Sequence, residues 1–264
     1  DCAETVITMN GTRAHFTMGR VKLSLDGWPV EDFPAITMPD PMGAIAIGDL
    51  PWLLAPVVPC ISFEETRYYL NGIYFHAATA AGTQVLRGVA TDGHRLARVE
   101  VPLPKGAGEI PGVIVPRKTV GEVRKLLDEG DGSVDIELSD TRIRFSSGNV
   151  TLVSKLIDGT FPDYERVIPT GNDKVLNVPC KEFAHAVDRV STISTEKSRA
   201  IKLAVAKGVV TLSATSPDAG SASEEIEVEY KDTALEIGFN SRYLLDITEQ
   251  IAGREARFLM AEIN

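Results

Sequence analysis

The 264 residues carry 37 Asp and Glu against 27 Lys and Arg, a net charge of −10, and 44% of them are hydrophobic. That length suits about two domains with sizeable cores, and the acidic balance excludes a protein that coats nucleic acid by charge alone. The longest apolar run, Leu50 to Ile61, is broken by Pro51, Pro56 and Pro59, well short of the ~18 residues of a membrane span. Neither a membrane partner nor a signal peptide is expected, since Asp1 and Glu4 stand where a basic start would be. Cys2, Cys60 and Cys180 form no CxxC pair and predict reduced thiols of the cytoplasm rather than a disulfide framework or a zinc site.

Taken in order, the chain repeats itself. Thr12-Arg13-x-x-Phe16-x-x-Gly19-x-Val21-x-Leu23 returns as Thr141-Arg142-x-x-Phe145-x-x-Gly148-x-Val150-x-Leu152, an offset of 129 from Thr12 to Thr141. Phe33-Pro34 returns as Phe161-Pro162, and Ile61-Ser62-x-Glu64-x-Thr66-Arg67 as Ile193-Ser194-x-Glu196-x-Ser198-Arg199, an offset of 132 from Ile61 to Ile193. Two such matches at nearly one period predict a module of roughly 130 residues. Residues 1–42 then read as the back half of a first module, 43–170 as a complete middle module, and 171–264 as a third module without its final strands. The turn-forming Pro169-Thr170-Gly171-Asn172-Asp173 marks the second boundary.

Within the middle module, Asp49 can cap a short helix with Pro51 in its first turn, and Pro56 and Pro59 keep it short. Strands are predicted at Tyr68–Ala77, Val85–Ala90 and Arg95–Val101. Pro116 opens a second helix with Val120, Val123 and Leu127 at helical spacing and Gly130 or Gly132 near its end. Further strands follow at Val134–Leu138, Thr141–Ser146 and Val150–Leu156. The third module repeats the plan with helices near Cys180–Ile193 and Ser241–Ile251. The fold class is α+β, each module packing two helices on antiparallel sheet.

Between Val85 and Pro104 the apolar runs are interrupted by Thr91-Asp92-Gly93-His94. Asp-Gly between β-prone runs signals a tight hairpin turn, because glycine takes the positive φ such a turn requires. The plain account of Arg87, His94 and Arg95 there is a solvated hairpin tip. Asp92 and His94 could also form an acid–base or metal pair, although no third ligand or nucleophile stands nearby in sequence. No Walker loop, GxSxG, HExxH or GxGxxG after a strand occurs. Arg117 and Lys118 begin the second helix, with Arg124 and Lys125 one to two turns on; Lys197 and Arg199 follow a helix of the third module. The interspersed Glu122, Asp128 and Glu129 favour a plain solvated face. Asp158 to Pro169, with Phe161, Tyr164 and Val167 on one side, reads as a packed linker, and a linker bracketing a groove is a common ligand site.

Arg67-Tyr68-Tyr69-Leu70-Asn71-Gly72, Ala90 to Ala97, Val115-Pro116-Arg117-Lys118, Ser154-Lys155-Leu156 with Asp158-Gly159, Phe161 to Pro169, and Glu236 to Asn240 are motifs that, in this order, resemble the bacterial sliding clamp, the β subunit of DNA polymerase III. The resemblance covers nearly the whole chain. It implies a DNA-clamp fold in a homodimeric ring of three modules per chain, helices lining the hole and sheets forming the wall. It further implies a non-catalytic processivity factor of DNA replication, without cofactor or metal, acting in the cytoplasm. Double-stranded DNA would be held through its phosphates without sequence readout. The replicative polymerase, the clamp loader and repair proteins would dock short peptide motifs. By the same resemblance the peptide pocket comprises Leu70, Thr91, Gly93, His94, Arg95, Leu96, Pro162, Arg166 and Val167. The DNA-facing residues are Arg67, Arg117, Lys118, Arg199, Asn240 and Tyr243. Ser198 stands where the family often has an aromatic residue, and the front half of the first module and the last strand and tail of the third are absent.

Two other readings fit the residues. One is a metal-assisted hydrolase using the Asp92–His94 turn; the other is a repeat-built module that binds proteins and never DNA. A concave surface shared by Arg67, Arg117, Lys118 and Arg199 would favour the clamp.

Overall fold

The structure is a computed structural model, and it describes residues 4–34, 36–39, 43–48, 50–129, 134–194 and 199–261. The expectations for Cys2, Asp49, Gly130, Gly132, Lys197 and Ser198 lie outside the described residues. Two compact units are present, residues 1–38 and 39–264.

The first unit is an antiparallel meander of β1 (Thr5–Asn10), β2 (Arg13–Met18) and β3 (Val21–Asp26). Gly11 and Gly19 turn the chain at φ +59° and +60°, a region that costs glycine little. Arg13 Nε meets Asp26 Oδ1 across the strands at 2.6 Å.

The second unit begins with β4 (Gly43–Ile47) and α1 (Leu50–Leu54). Next come β5 (Gly72–Ala80), β6 (Thr83–Thr91), β7 (Leu96–Pro102) and β8 (Val113–Pro116). Helix α2 (Arg117–Glu129) leads into β9 (Val134–Leu138), β10 (Arg142–Ser147) and β11 (Val150–Lys155). These strands form two four-stranded antiparallel sheets, ordered β7-β6-β5-β8 and β11-β10-β9-β4. The stripe Val120, Val123 and Leu127 is buried against Leu50, Leu53, Ile73, Leu86, Ile136 and Phe145 in one core, so α2 forms because its apolar period matches the helix.

Then β12 (Lys174–Pro179), α3 (Cys180–Ser191), β13 (Ala200–Ala206), β14 (Val209–Ser216), β15 (Gly220–Glu227), β16 (Leu235–Asn240), α4 (Ser241–Gln250) and β17 (Glu255–Met260) repeat the order. The sheet β15-β14-β13-β16 copies β7-β6-β5-β8, and the pair β12-β17 copies β4-β9. A second core surrounds Phe183, Leu203 and Leu212. The repeat extends to register: Phe16 faces Leu23, and Phe145 faces Leu152.

Three local expectations are corrected. Tyr68–Leu70 is a 3-10 turn and β5 starts at Gly72, because Leu70 N and Asn71 N bond back to Arg67 O and Tyr68 O. Pro116 ends β8 opposite Gly72 and α2 starts one residue later. Arg67 is not the backbone counterpart of Arg199: Arg117 N bonds Asn71 O as Ser241 N bonds Arg199 O, so Asn71 holds that place and the middle module carries four extra residues before β5.

Candidate functional site

Four residues, Asp92–Arg95, join β6 to β7, a longer loop than a two-residue turn, and side chains close it. Asp92 Oδ1 accepts from His94 N at 2.9 Å and Arg95 N at 3.0 Å. Thr91 Oγ1 donates to Arg95 O at 2.8 Å and accepts from Gly93 N at 3.1 Å. Gly93 sits at φ +88°. The other Asp92 oxygen takes Arg95 Nε at 3.1 Å. Both Asp92 oxygens therefore serve the turn, and no group of three or more His, Cys, Asp or Glu is placed to hold a metal among the described residues.

Arg95 also reaches α4. Its Nη1 donates to Asp246 Oδ2 at 2.6 Å, its Nη2 to Pro59 O at 2.5 Å, and its guanidinium lies 4.3 Å from the Tyr243 ring centre. Cys60 lies in this junction, and burial pushes its thiol up to about 11.

Beside the turn is a cleft of about 790 Å³. Of the nine predicted peptide-pocket residues, Leu70, Thr91, Gly93, His94, Arg95, Leu96, Pro162 and Val167 line it. Arg166 does not: it is exposed and pairs with Asp163 at 2.7 Å. Arg67, expected on the DNA side, lines the cleft, and its bond to Glu64 at 2.7 Å holds that carboxyl below the usual range. Tyr69, Arg98, Asp163, Tyr164, Ile168 and Pro169 complete the walls. The sequence names Tyr164 only as part of the linker's apolar side; Tyr69 lies in the Arg67–Gly72 motif and Ile168 in the Asp158–Pro169 linker, and Arg98 has no local signal.

The linker packs because its apolar side finds a surface. Phe161 and Tyr164 are buried with Leu70, Val89 and Ile114 in a small third core, and Phe161 stacks on Tyr74 at 4.9 Å. Val167 remains 67% exposed and Leu96 half-buried, which leaves apolar surface open to a ligand.

The remaining predicted DNA-side residues occupy helix starts. Arg117 and Lys118 are the first two residues of α2 and both are exposed; the Arg117 guanidinium lies 3.7 Å from the Phe63 ring centre. Arg199, at φ +40°, lines a groove with Arg242 beside the start of α4. Asn240 caps α4, its Oδ1 accepting from Arg242 N at 3.0 Å. Tyr243 supports Arg95 at the module junction. Neither α2 nor α4 has an acid in its first turn. Cations there oppose the helix dipole and cost stability, but they concentrate the positive potential that phosphate seeks.

Residues 50–163 match the family described as DNA polymerase III beta subunit, central domain, and residues 165–264 the DNA polymerase III beta subunit, C-terminal domain. The beta sliding clamp of Caulobacter vibrioides is 48% identical over 266 residues, which span 99% of this chain and 72% of that protein. The beta sliding clamp of Escherichia coli is 33% identical over 262 residues, 98% of this chain and 70% of that protein. Among solved structures, a sliding clamp from Bartonella birtlesii bound to griselimycin superposes with a TM-score of 0.91 at 48% identity, over 98% of this chain and 70% of that one. One from Pseudomonas aeruginosa does so with a TM-score of 0.85 at 36% identity, over 98% and 70%.

Proposed function

The chain belongs to the DNA polymerase III beta subunit family, the bacterial sliding clamps, and on that premise we propose which of its residues do the family's work. The protein is a DNA sliding clamp, a non-catalytic processivity factor that encircles duplex DNA and tethers the replicative polymerase and other partners through short peptide motifs. A ring of two chains is typical of the family, and neither a hydrolase nor a DNA-free module fits it. Its work on DNA lies in the cell interior, and we assign it to the cytoplasm. Among the described residues no helix is long and apolar enough to cross a membrane. Residues 1–42, 43–170 and 171–264 are read as parts of three repeated modules.

The peptide site is assigned to the cleft walled by Leu70, Leu96 and Val167. The observation that supports it is the convergence of these three apolar residues, from segments far apart in sequence, on one cleft with Val167 still open to solvent. An extended peptide would bury a leucine or phenylalanine anchor there, its backbone meeting the amides of the 92–95 turn. Arg166 is assigned to the rim of this site. The DNA contact is assigned to Arg117, Lys118 and Arg199, whose charges and helix-end amides suit phosphate without reading bases. Arg67 on the cleft wall, Asn240 at the α4 cap and Tyr243 beside Arg95 are the remaining candidates for DNA contact.

Calorimetry with one clamp-binding peptide tests the assignment. Truncating a central anchor contact commonly costs ~2 kcal/mol, so Leu96→Ala or Val167→Ala weakens peptide binding about tenfold or more. Lys118→Ala leaves peptide binding unchanged and lowers the salt slope of DNA binding by roughly 0.9. Equal losses of peptide affinity from Lys118→Ala and Leu96→Ala would overturn it.

A further inference from the structure

Beneath the cleft lies a row of polar side chains that peptide contact leaves unused. Strand register sets His76 opposite Arg87, and Arg87 opposite Glu100. Alternation along β6 puts Leu86 and Ala90 in the core with α1 and α2, so the row stands on the other face, with Val89 and the linker. Arg87 is 5% exposed. Its Nε donates to Glu100 Oε1 at 2.9 Å, and its Nη1 donates to Tyr164 Oη at 2.7 Å and to Glu165 Oε1 at 2.6 Å. His76 Nδ1 is 3.0 Å from Ala77 O, which can only accept, so the ring proton sits on Nδ1. Nε2, 3.0 Å from Tyr164 Oη, then accepts from that hydroxyl while the hydroxyl accepts from Arg87. The Tyr164 hydroxyl thus both donates and accepts, and joins the imidazole to the guanidinium.

Tyr164 and Glu165 open the 3-10 turn Tyr164–Val167, and Pro162, just before the turn, and Val167, its last residue, line the cleft. For stability alone an arginine here is a poor choice, since burying its charge is costly and an apolar side chain of similar size often serves as well. A planar fork, however, fixes distance and direction at once, whereas apolar contacts allow sliding. We propose that Arg87 is a positioning residue for peptide binding: through Tyr164 and Glu165 it holds the 164–167 turn at the height over the sheet where Pro162 and Val167 close on an anchor side chain. This rests on the assignment of the cleft as the peptide site.

Arg87→Met and Tyr164→Phe, compared with Leu96→Ala by calorimetry against one clamp-binding peptide, test the proposal. Arg87→Met is expected to weaken binding about tenfold and Tyr164→Phe about threefold, with the double variant no weaker than Arg87→Met alone, because both cut one tether. In methyl NMR spectra the Val167 and Ile168 signals shift in both single variants, while those of Val187 and Val190 in the other core stay in place. Losses that add in the double variant, unmoved Val167 signals, or unchanged affinity with a lowered melting temperature would each overturn it. Should Arg87→Met fail to fold, Tyr164→Phe, which removes one oxygen, decides alone through its affinity and the Val167 signal. If Leu96→Ala also leaves affinity untouched, the cleft assignment itself fails, and the proposal with it; if only Leu96→Ala weakens binding, the cleft stands and the tether is rejected.

Discussion

Replacing Asp246 by Asn removes one charge from the contact that joins the 92–95 turn to α4 through Arg95. The Arg95 side chain is 14% exposed and that of Asp246 25%. The pair therefore lies between exposed bridges, worth at most about 1 kcal/mol, and fully buried ones, where stripping a partner costs about 3–5 kcal/mol. Arg95 keeps Asp92, Pro59 O and the Tyr243 ring in the variant, so the lower half of that interval applies, about 1.5 kcal/mol. At about 2–4 °C per kcal/mol for a chain of this size, the melting temperature falls by about 3–6 °C. Arg95→Met forfeits all these partners and leaves Asp92 and Asp246 without their cation, which costs about 3 kcal/mol. In the double variant Asp246 is no longer stranded, and the combined loss should fall short of the sum by about 1–2 kcal/mol. Urea unfolding of the three variants measures this. Simple additivity would refute the reasoning, because it would mean that Arg95 and Asp246 do not share their charge across the junction.

Burial holds His76 neutral, its pKa lowered, with the nearby Arg87 charge adding to the effect and the Ala77 carbonyl and Glu165 opposing it. The unfolded chain then takes up that proton first, so stability is intact above about pH 6.5 and declines as the pH falls through the lower folded value. Urea melts from pH 7 to 5 should show this decline, and His76→Gln should flatten it. With its thiol pushed up to about 11 by burial, Cys60 should resist a thiol reagent at pH 8 in the folded protein and react on unfolding, as mass mapping of the labelled peptide would show. Gly93→Ala would place a Cβ at φ +88° and 2.6 Å from Arg67 Nη1; it should cost about 1 kcal/mol, read as a melting-temperature drop of about 2–4 °C.

The repeat was legible in the sequence because its apolar residues occupy paired strand positions: Phe145 and Leu152 face each other as Phe16 and Leu23 do. Helix α2 was legible for the same reason, its period being visible without tertiary knowledge. Tyr68–Leu70 read as strand because aromatic residues favour strands, yet local backbone bonds wound it into a turn. That turn also hid the four extra residues that separate Arg67 from the backbone place of Arg199. The cleft's composition could be read by motif. What could not be read was the role of Arg87, since Tyr164 and Glu165 lie 77 and 78 residues away and nothing local announces their approach.

The row His76–Arg87–Glu100 also bears on how the chain avoids folding wrongly. Val85, Leu86, Val89 and Ala90 are all buried, so β6 is apolar on both faces, and apolarity by itself barely distinguishes one pairing from the next. A slip of one residue would carry Arg87 to the side packed by α1 and α2, where Leu86 and Ala90 now sit. A slip of two residues against β7 would set Arg87 opposite Arg98 or Pro102 in place of Glu100, either a like-charge pair or a stranded cation. The arginine thus acts as a proofreading mark on the central hairpin, and Arg87→Leu should refold through several competing pairings where the natural chain has one.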